Sequence, residues 1–244
     1  MLSTSEKASI ATSIATLKIR LNAYFGADLS EHFTFGSYTR DTILPRAMDR
    51  ASDIDYMVVW KAGGYQPQTY LDRLKKFVEY YYSRSEISQS NPTIRLELNH
   101  IMFELVPALR SASGYGYQIP SGTQAWQSTD PNDFNSTLAA KNASERYLLK
   151  PAIRLAKYWN AKNGYVYDSY LFERLIVGFV FWNCSSERDY LFTIFDKLSV
   201  PTGTLWQKNA VERAKRIVAE VRSLEASGYP ATAEVEVKKL VPDS

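Results

Sequence analysis

Asp53 and Asp55 stand two residues apart at the head of an apolar run, Asp53-Ile54-Asp55-Tyr56-Met57-Val58-Val59-Trp60. In an extended strand, residues two apart share a face, so this spacing sets two carboxylates side by side while Ile54, Tyr56, Val58 and Trp60 turn the other way. Neighbouring carboxylates repel unless positive charge lies between them, and a hard divalent cation with oxygen ligands meets that need. Upstream, Gly36-Ser37 follows the apolar Phe33-Thr34-Phe35. Glycine allows a tight turn that offers backbone amides to an anion, with the Ser37 hydroxyl beside it. Gly-Ser or Asp-x-Asp alone says little, because both recur in turns and strand ends. Their order, each joined to an apolar strand, describes a metal-and-phosphate site.

A third carboxylate is expected from a neighbouring strand. Residues 93–98 and 101–106 read as two strands joined by an Asn99-His100 turn. In the second, Ile101, Phe103 and Leu105 take one face and Met102, Glu104 and Val106 the other. Glu104 is the candidate, and Glu97, on the polar face of the adjoining strand, is its rival.

The stretch from Phe33 to Trp60 resembles the signature of the DNA polymerase β-type nucleotidyltransferase superfamily, in which a Gly-Ser turn precedes Asp-x-Asp on the next strand. Phe103-Glu104-Leu105-Val106-Pro107-Ala108 resembles the strand that carries the third carboxylate, with the Pro-Ala of the antiviral signalling branches. Asp is commoner at that place, so Glu104 departs by one methylene. Leu149-Lys150-Pro151-Ala152-Ile153-Arg154-Leu155-Ala156-Lys157-Tyr158-Trp159-Asn160, followed by Ser169-Tyr170-Leu171-Phe172-Glu173, is similar to the helical domain of oligoadenylate synthase and of bacterial cyclic-oligonucleotide synthases. The likeness is greatest to the SMODS-type (CD-NTase-like) nucleotidyltransferases of bacterial antiphage systems.

The resemblance implies an α+β fold: a polymerase-β-like nucleotidyltransferase core, a mixed sheet with helices, over residues 1–130, and a helical oligoadenylate-synthase-like nucleotide-binding domain with a C-terminal tail over residues 131–244. It implies two Mg2+ ions, with Mn2+ as a substitute, about 3.5 to 4 Å apart and held by Asp53, Asp55 and Glu104. Gly36, Ser37 and Lys157 would steady the β and γ phosphates, Ser169 would join them, and Tyr170 would stack on the base. An ammonium suits phosphate, and an aromatic face accepts any base. The substrates implied are nucleoside triphosphates, ATP or dATP foremost. The product is either a cyclic di- or trinucleotide messenger, as in CBASS, or a short single-stranded DNA oligomer, as in Hailong systems, acting on an effector protein of the same defence operon. Makers of the oligomer start on a tyrosine near their C-terminus; Tyr229, the last tyrosine here, reads first as a packed turn residue, with self-priming as the alternative. The length of 244 residues, short for a cyclic-messenger synthase, inclines to the oligomer. An RNA- or protein-modifying transferase and a catalytically degenerate nucleotide-binding regulator are the competing readings.

The rest of the sequence supplies the elements that must position these groups. With 29 basic and 26 acidic residues the net charge of +3 does not demand nucleic acid, so attraction for phosphate has to be local. A single Cys184 excludes an intrachain disulfide and reads as a buried thiol in a reducing cytoplasm, and two histidines far from it give no zinc signature. No apolar run is long enough to span a bilayer, which implies a soluble protein with no membrane partner. Ser3 or Thr4 caps a helix carrying Ile10, Ile14, Leu17, Leu21 and Tyr24 up to Gly26. A second helix covers residues 68–82. Residues 111–133, rich in Gly, Ser, Pro and Gln, read as a long connection ending at the domain boundary. Beyond it, Leu148, Leu149, Ala152, Leu155, Ala156 and Trp159 form an apolar helical stripe opposite Lys150, Arg154 and Lys157. Further helices are expected over residues 171–182, 190–198 and 206–224, with a weakly patterned, mobile tail from 231 to 244.

Overall fold

Side-chain alternation in residues 53–60 and 102–110 builds the middle of a mixed sheet, and the helices before and between these strands cover one of its faces. The computed structural model describes residues 1–242. Helix α1 (Thr4–Phe25) begins with a capping box: the Ser3 hydroxyl accepts from the Glu6 amide, and the Glu6 carboxylate accepts from the Ser3 amide. Strand β1 (Leu29–Phe35) runs directly into the single turn α2 (Gly36–Thr39), and β2 (Asp53–Trp60) follows the polar loop. Helix α3 (Pro67–Tyr81) starts on a proline at its first position, where the missing N–H costs no hydrogen bond. Strands β3 (Glu86–Ser90), β4 (Thr93–Glu97) and β5 (Met102–Arg110) come next, and then β6 (Tyr117–Ser121) and β7 (Ala125–Thr129).

The sheet order is β1-β2-β5-β4-β3, with β6 pairing to β5 and β7 to β6. All pairs are antiparallel except β2 with β5, which are parallel and set Asp55 opposite Glu104. Ile54, Tyr56, Val58, Trp60, Ile94, Leu96, Phe103 and Leu105 face the main core, where Leu17 and Leu21 of α1 and Leu71, Leu74 and Phe77 of α3 meet them. At about 1.5–3 kcal/mol per fully buried large apolar side chain, this face holds the sheet to the helices. The opposite face carries a smaller cluster, Met57, Val59, Val106 and Ala108, with Phe33 and Phe35 beside it. The acidic residues lie on that second face, in line with Met57 and Val59.

The expected connection over residues 111–133 is instead a hairpin, β6–β7, whose strands pair from Tyr117–Thr129 to Ser121–Ala125. Its backbone is satisfied by the ladder although Pro120 is its one buried residue, so a polar composition did not prevent strand formation.

Contacts divide the chain into two units: residues 1–46 with 51–135, and residues 47–50 with 136–244. Helix α4 (Asp133–Ser144) spans the junction, and α5 (Leu149–Lys162), α6 (Ser169–Val177), α7 (Glu187–Lys197), α8 (Leu205–Ala226) and α9 (Pro230–Val237) belong to the second unit. Leu149, Ala152, Ile153, Ala156 and Trp159 of α5 are buried, as are Phe172 of α6, Leu191 and Phe195 of α7 and Val218 and Val221 of α8, and the Trp159 ring packs against Phe172 and Phe195. Three expectations change here. The helix expected to reach residue 182 stops at Val177, capped by Gly178, and Trp182 is exposed. Arg154 and Lys157, expected on a polar face, are buried. The expected mobile tail carries α9, with Ala233 and Leu240 buried; residues 243 and 244 lie outside the described residues.

Candidate active site

Strand β2 supplies two carboxylates and β5 the third. The parallel register places Asp55 beside Glu104 and Asp53 beside Met102, so all three acids project from one face of two adjoining strands. One carboxylate oxygen from each of Asp53, Asp55 and Glu104 lies within 4.8 Å of the others, and all three residues are half-buried. Three hard, anionic oxygen donors converging at the end of a sheet fit a divalent cation of the Mg2+ or Mn2+ class, and contain no soft ligand that would favour zinc or copper.

The turn that adjoins this cluster follows from strand pairing. Phe35 is opposite Asp55 in the antiparallel ladder, so the next residue, Gly36, leaves β1 right at the acid cluster. Gly36 has φ +73°, and a Cβ built there would lie 1.8 Å from Asp55 Oδ2. A side chain there would have to displace the Asp55 carboxylate, and the positive φ would strain it in addition. The Ser37 carbonyl accepts from the amides of Thr42 and Ile43 at 3.0 and 3.2 Å, and Thr42, Ile43 and Leu44 are buried. These contacts tie the start of the polar loop to the turn.

Behind β2, Tyr56 Oη and His32 Nδ1 are 2.7 Å apart and His32 Nε2 lies 2.9 Å from Asn22 Oδ1. The chain is satisfied by a neutral imidazole that accepts from the phenol and donates to the amide oxygen. Burial pushes the Tyr56 phenol well above its usual range and His32 below its own, so both groups hold the protonation states this network needs. The network joins α1 and β1 to the strand that carries the two aspartates.

Glu97, the rival third carboxylate, is ion-paired with Arg46 and is not a member of the cluster. Glu104 is engaged from the neighbouring strand: Arg95 stands opposite it in the β4–β5 ladder, and Arg95 Nε donates to Glu104 Oε1 at 2.7 Å. Sequence reasoning passed over Arg95. Counting outward from the Asn99-His100 turn would have set it across from Glu104.

In the second unit, the Lys157 ammonium donates to Glu173 Oε1 at 2.8 Å, and the two side chains are 7% and 0% exposed. The pair joins α5 to α6. Ser169 opens α6 one turn before Glu173, half-buried, behind an Asp168 cap that accepts from the Leu171 amide. Tyr170 is partly exposed, and the Arg174 guanidinium lies 5.7 Å from its ring centroid. Tyr229 precedes α9, its amide bonded to the Leu224 carbonyl at 2.9 Å and its ring 61% exposed rather than packed. No helix among the described residues is long and apolar enough to cross a membrane.

Comparison with known proteins gives this geometry a family. Residues 1–142 match the model of the SMODS, or Second Messenger Oligonucleotide or Dinucleotide Synthetase, domain. Over 112 residues the chain is 31% identical to a probable cyclic nucleotide synthase of Bacillus cereus strain VD146; the match covers 42% of this chain and 34% of that protein, so the chain spans about a third of its curated relative. Among solved structures, the CD-NTase CdnG of Bradyrhizobium diazoefficiens in complex with GTP superposes with a TM-score of 0.73 at 12% identity, covering 98% of this chain and 95% of that one. CdnC of Escherichia coli MS115-1 with ATP gives a TM-score of 0.67 at 15% identity over 98% and 92%. An Asp-x-Asp strand beside a glycine turn, a third carboxylate on the parallel neighbour, and a family match over more than half of the sequence make this chain a member of the SMODS family, with the fold of the CD-NTase nucleotidyltransferases.

Proposed function

We propose that this protein is a divalent-cation-dependent nucleotidyltransferase that joins nucleotides from their triphosphates, releases pyrophosphate and makes a cyclic oligonucleotide second messenger. The observation that carries the reading is the convergence of Asp53, Asp55 and Glu104 within 4.8 Å beside the Gly36 turn. The GTP held by CdnG and the ATP held by CdnC support purine nucleoside triphosphates as substrates, and the name of the Bacillus cereus relative supports a cyclic product.

Asp53, Asp55 and Glu104 are the residues that would hold the cations. Bound there, divalent ions supply electrostatic stabilisation of the attacking and leaving oxygens in an in-line displacement at the α phosphorus. The chain's own contributions are distinct from this. Gly36 and Ser37 offer a turn of backbone amides and a hydroxyl to the β and γ phosphates, and orient the pyrophosphate as leaving group. The half-buried setting of the acids limits competing water. In the helical unit, Lys157, Ser169 and Tyr170 are the proposed nucleotide-binding residues, with Tyr170 presenting a ring for base stacking. The likeness to antiphage nucleotidyltransferases makes an effector protein that recognises the product the proposed partner.

A second reading, a linear DNA oligomer started on the protein itself, is favoured by the exposed phenol of Tyr229. One experiment separates them. Purified protein is incubated with Mg2+ and each NTP or dNTP, and the products are resolved by mass. Cyclic di- or trinucleotides are expected, and they should vanish in the Asp53→Asn, Asp55→Asn double variant while its thermal melt is kept. Linear DNA that disappears in Tyr229→Phe selects the second reading, and turnover that persists in the double variant overturns the cation assignment.

A further inference from the structure

The third acid of the cluster is a glutamate, and a glutamate reaches the place of an aspartate only with an extra torsion to restrain. Glu104 has one more rotatable bond than Asp53 or Asp55, and fixing that torsion costs conformational entropy. Something must hold its carboxylate within the cluster. Arg95 is the group placed to do so. It stands opposite Glu104 in the β4–β5 ladder, on the same face of the sheet, and its Nε donates to Glu104 Oε1 at 2.7 Å. The Glu104 side chain is 14% exposed and that of Arg95 43% exposed, so the bond is made at the rim of the cluster, where solvent only partly screens it. Among the described residues, Oε2 of Glu104 makes no hydrogen bond. Arg95 therefore engages one oxygen of the carboxylate without occupying the other, while its charge offsets one of three converging negative charges.

We propose that Arg95 is a positioning residue that adapts a glutamate to the third-carboxylate place, fixing Glu104 so that it completes the cation site with Asp53 and Asp55. The proposal rests on the cation reading above, and adds a group that touches neither the cation nor the nucleotide. Partners of this kind, which orient a ligand from behind, change metal affinity about 10 to 100-fold when removed.

The test is Mn2+ binding to the full chain without nucleotide, followed by the loss of the free-ion paramagnetic resonance signal. Arg95→Ala should weaken Mn2+ binding about 10-fold or more, and Arg95→Lys, which keeps a charge able to reach the carboxylate, should recover part of the loss. In a Glu104→Asp background, where the extra torsion is gone, Arg95→Ala should cost much less than it does beside Glu104. Unchanged or tighter binding in Arg95→Ala overturns the proposal, the latter showing a charge that only competes with the cation. An equal loss in both backgrounds overturns it too. If wild-type protein binds no Mn2+, or binding survives Asp53→Asn with Asp55→Asn, the cation reading itself fails and the role of Arg95 falls with it.

Discussion

The Asp55 carboxylate lies directly over Gly36, so close that even a methyl group on that α-carbon would overlap Oδ2. The turn proposed for the phosphates and an acid proposed for the cation are thus packed against each other with no room between. Gly36→Ala should strain a positive φ and push Asp55 out of the cluster. Because misplacements near 1 Å at a reacting centre can cost about 100-fold, turnover should fall by about that factor. Thermal denaturation and a cation titration of the same variant check this: a modest loss of stability with a large loss of cation affinity is expected, and normal affinity would show that Asp55 can move without consequence.

Lys157 and Glu173 form a buried pair, and removing the ammonium takes from a fully buried carboxylate the cation that offsets much of its desolvation. Lys157→Met should destabilise the protein by about 3–5 kcal/mol, while Lys157→Met with Glu173→Leu should recover much of that loss. Urea unfolding of the three proteins measures it. A single variant as stable as wild type would mean that the pair does not hold α5 to α6, and that the ammonium can be given up to a ligand at little cost.

The start of α7 makes a prediction about acid. The Ser185 amide foremost, with the Ser186 hydroxyl and amide and the Ser185 hydroxyl, holds the Asp189 carboxyl at about 2 against the opposition of partial burial. In the unfolded chain an aspartate titrates near about 3.9. The folded form therefore prefers the charged state, and the stability this confers is complete above about pH 4 and fades as pH falls towards 2. Asp189→Asn should melt lower than wild type at neutral pH, and the two melting curves should converge at pH 2. A gap that stays constant with pH would assign the effect to packing and not to the carboxylate.

The parts of the site carried by local alternation were open to reading in the sequence. Ile54 and Tyr56 turn to the core and Asp53 and Asp55 away from it because a strand allows nothing else, and the turn at Asn99-His100 set β4 against β5. What escaped depended on partners distant in sequence or on backbone pairing. The β6–β7 hairpin hides in a Gly-, Ser- and Gln-rich stretch since it is held by ladder bonds and by a few scattered apolar contacts, Tyr117, Ile119 and Trp126, too sparse to show as an alternating pattern. Lys157 lies opposite the apolar stripe of α5 and so read as a polar-face lysine open to a phosphate; its burial against Glu173 on another helix is not visible in helical spacing. Helix α9 buries little beyond Ala233, too faint a pattern to separate from a disordered tail.

Because β2 and β5 run parallel, no tight turn can bring Asp55 to Glu104, and the whole α3–β4 excursion has to fold back first. Pairings between such remote segments are entropically the slowest to close. A chain emerging from the ribosome, or one partly melted, thus has two aspartates with nothing to complete them. The proposed cation site is therefore complete only once β5 has docked beside β2.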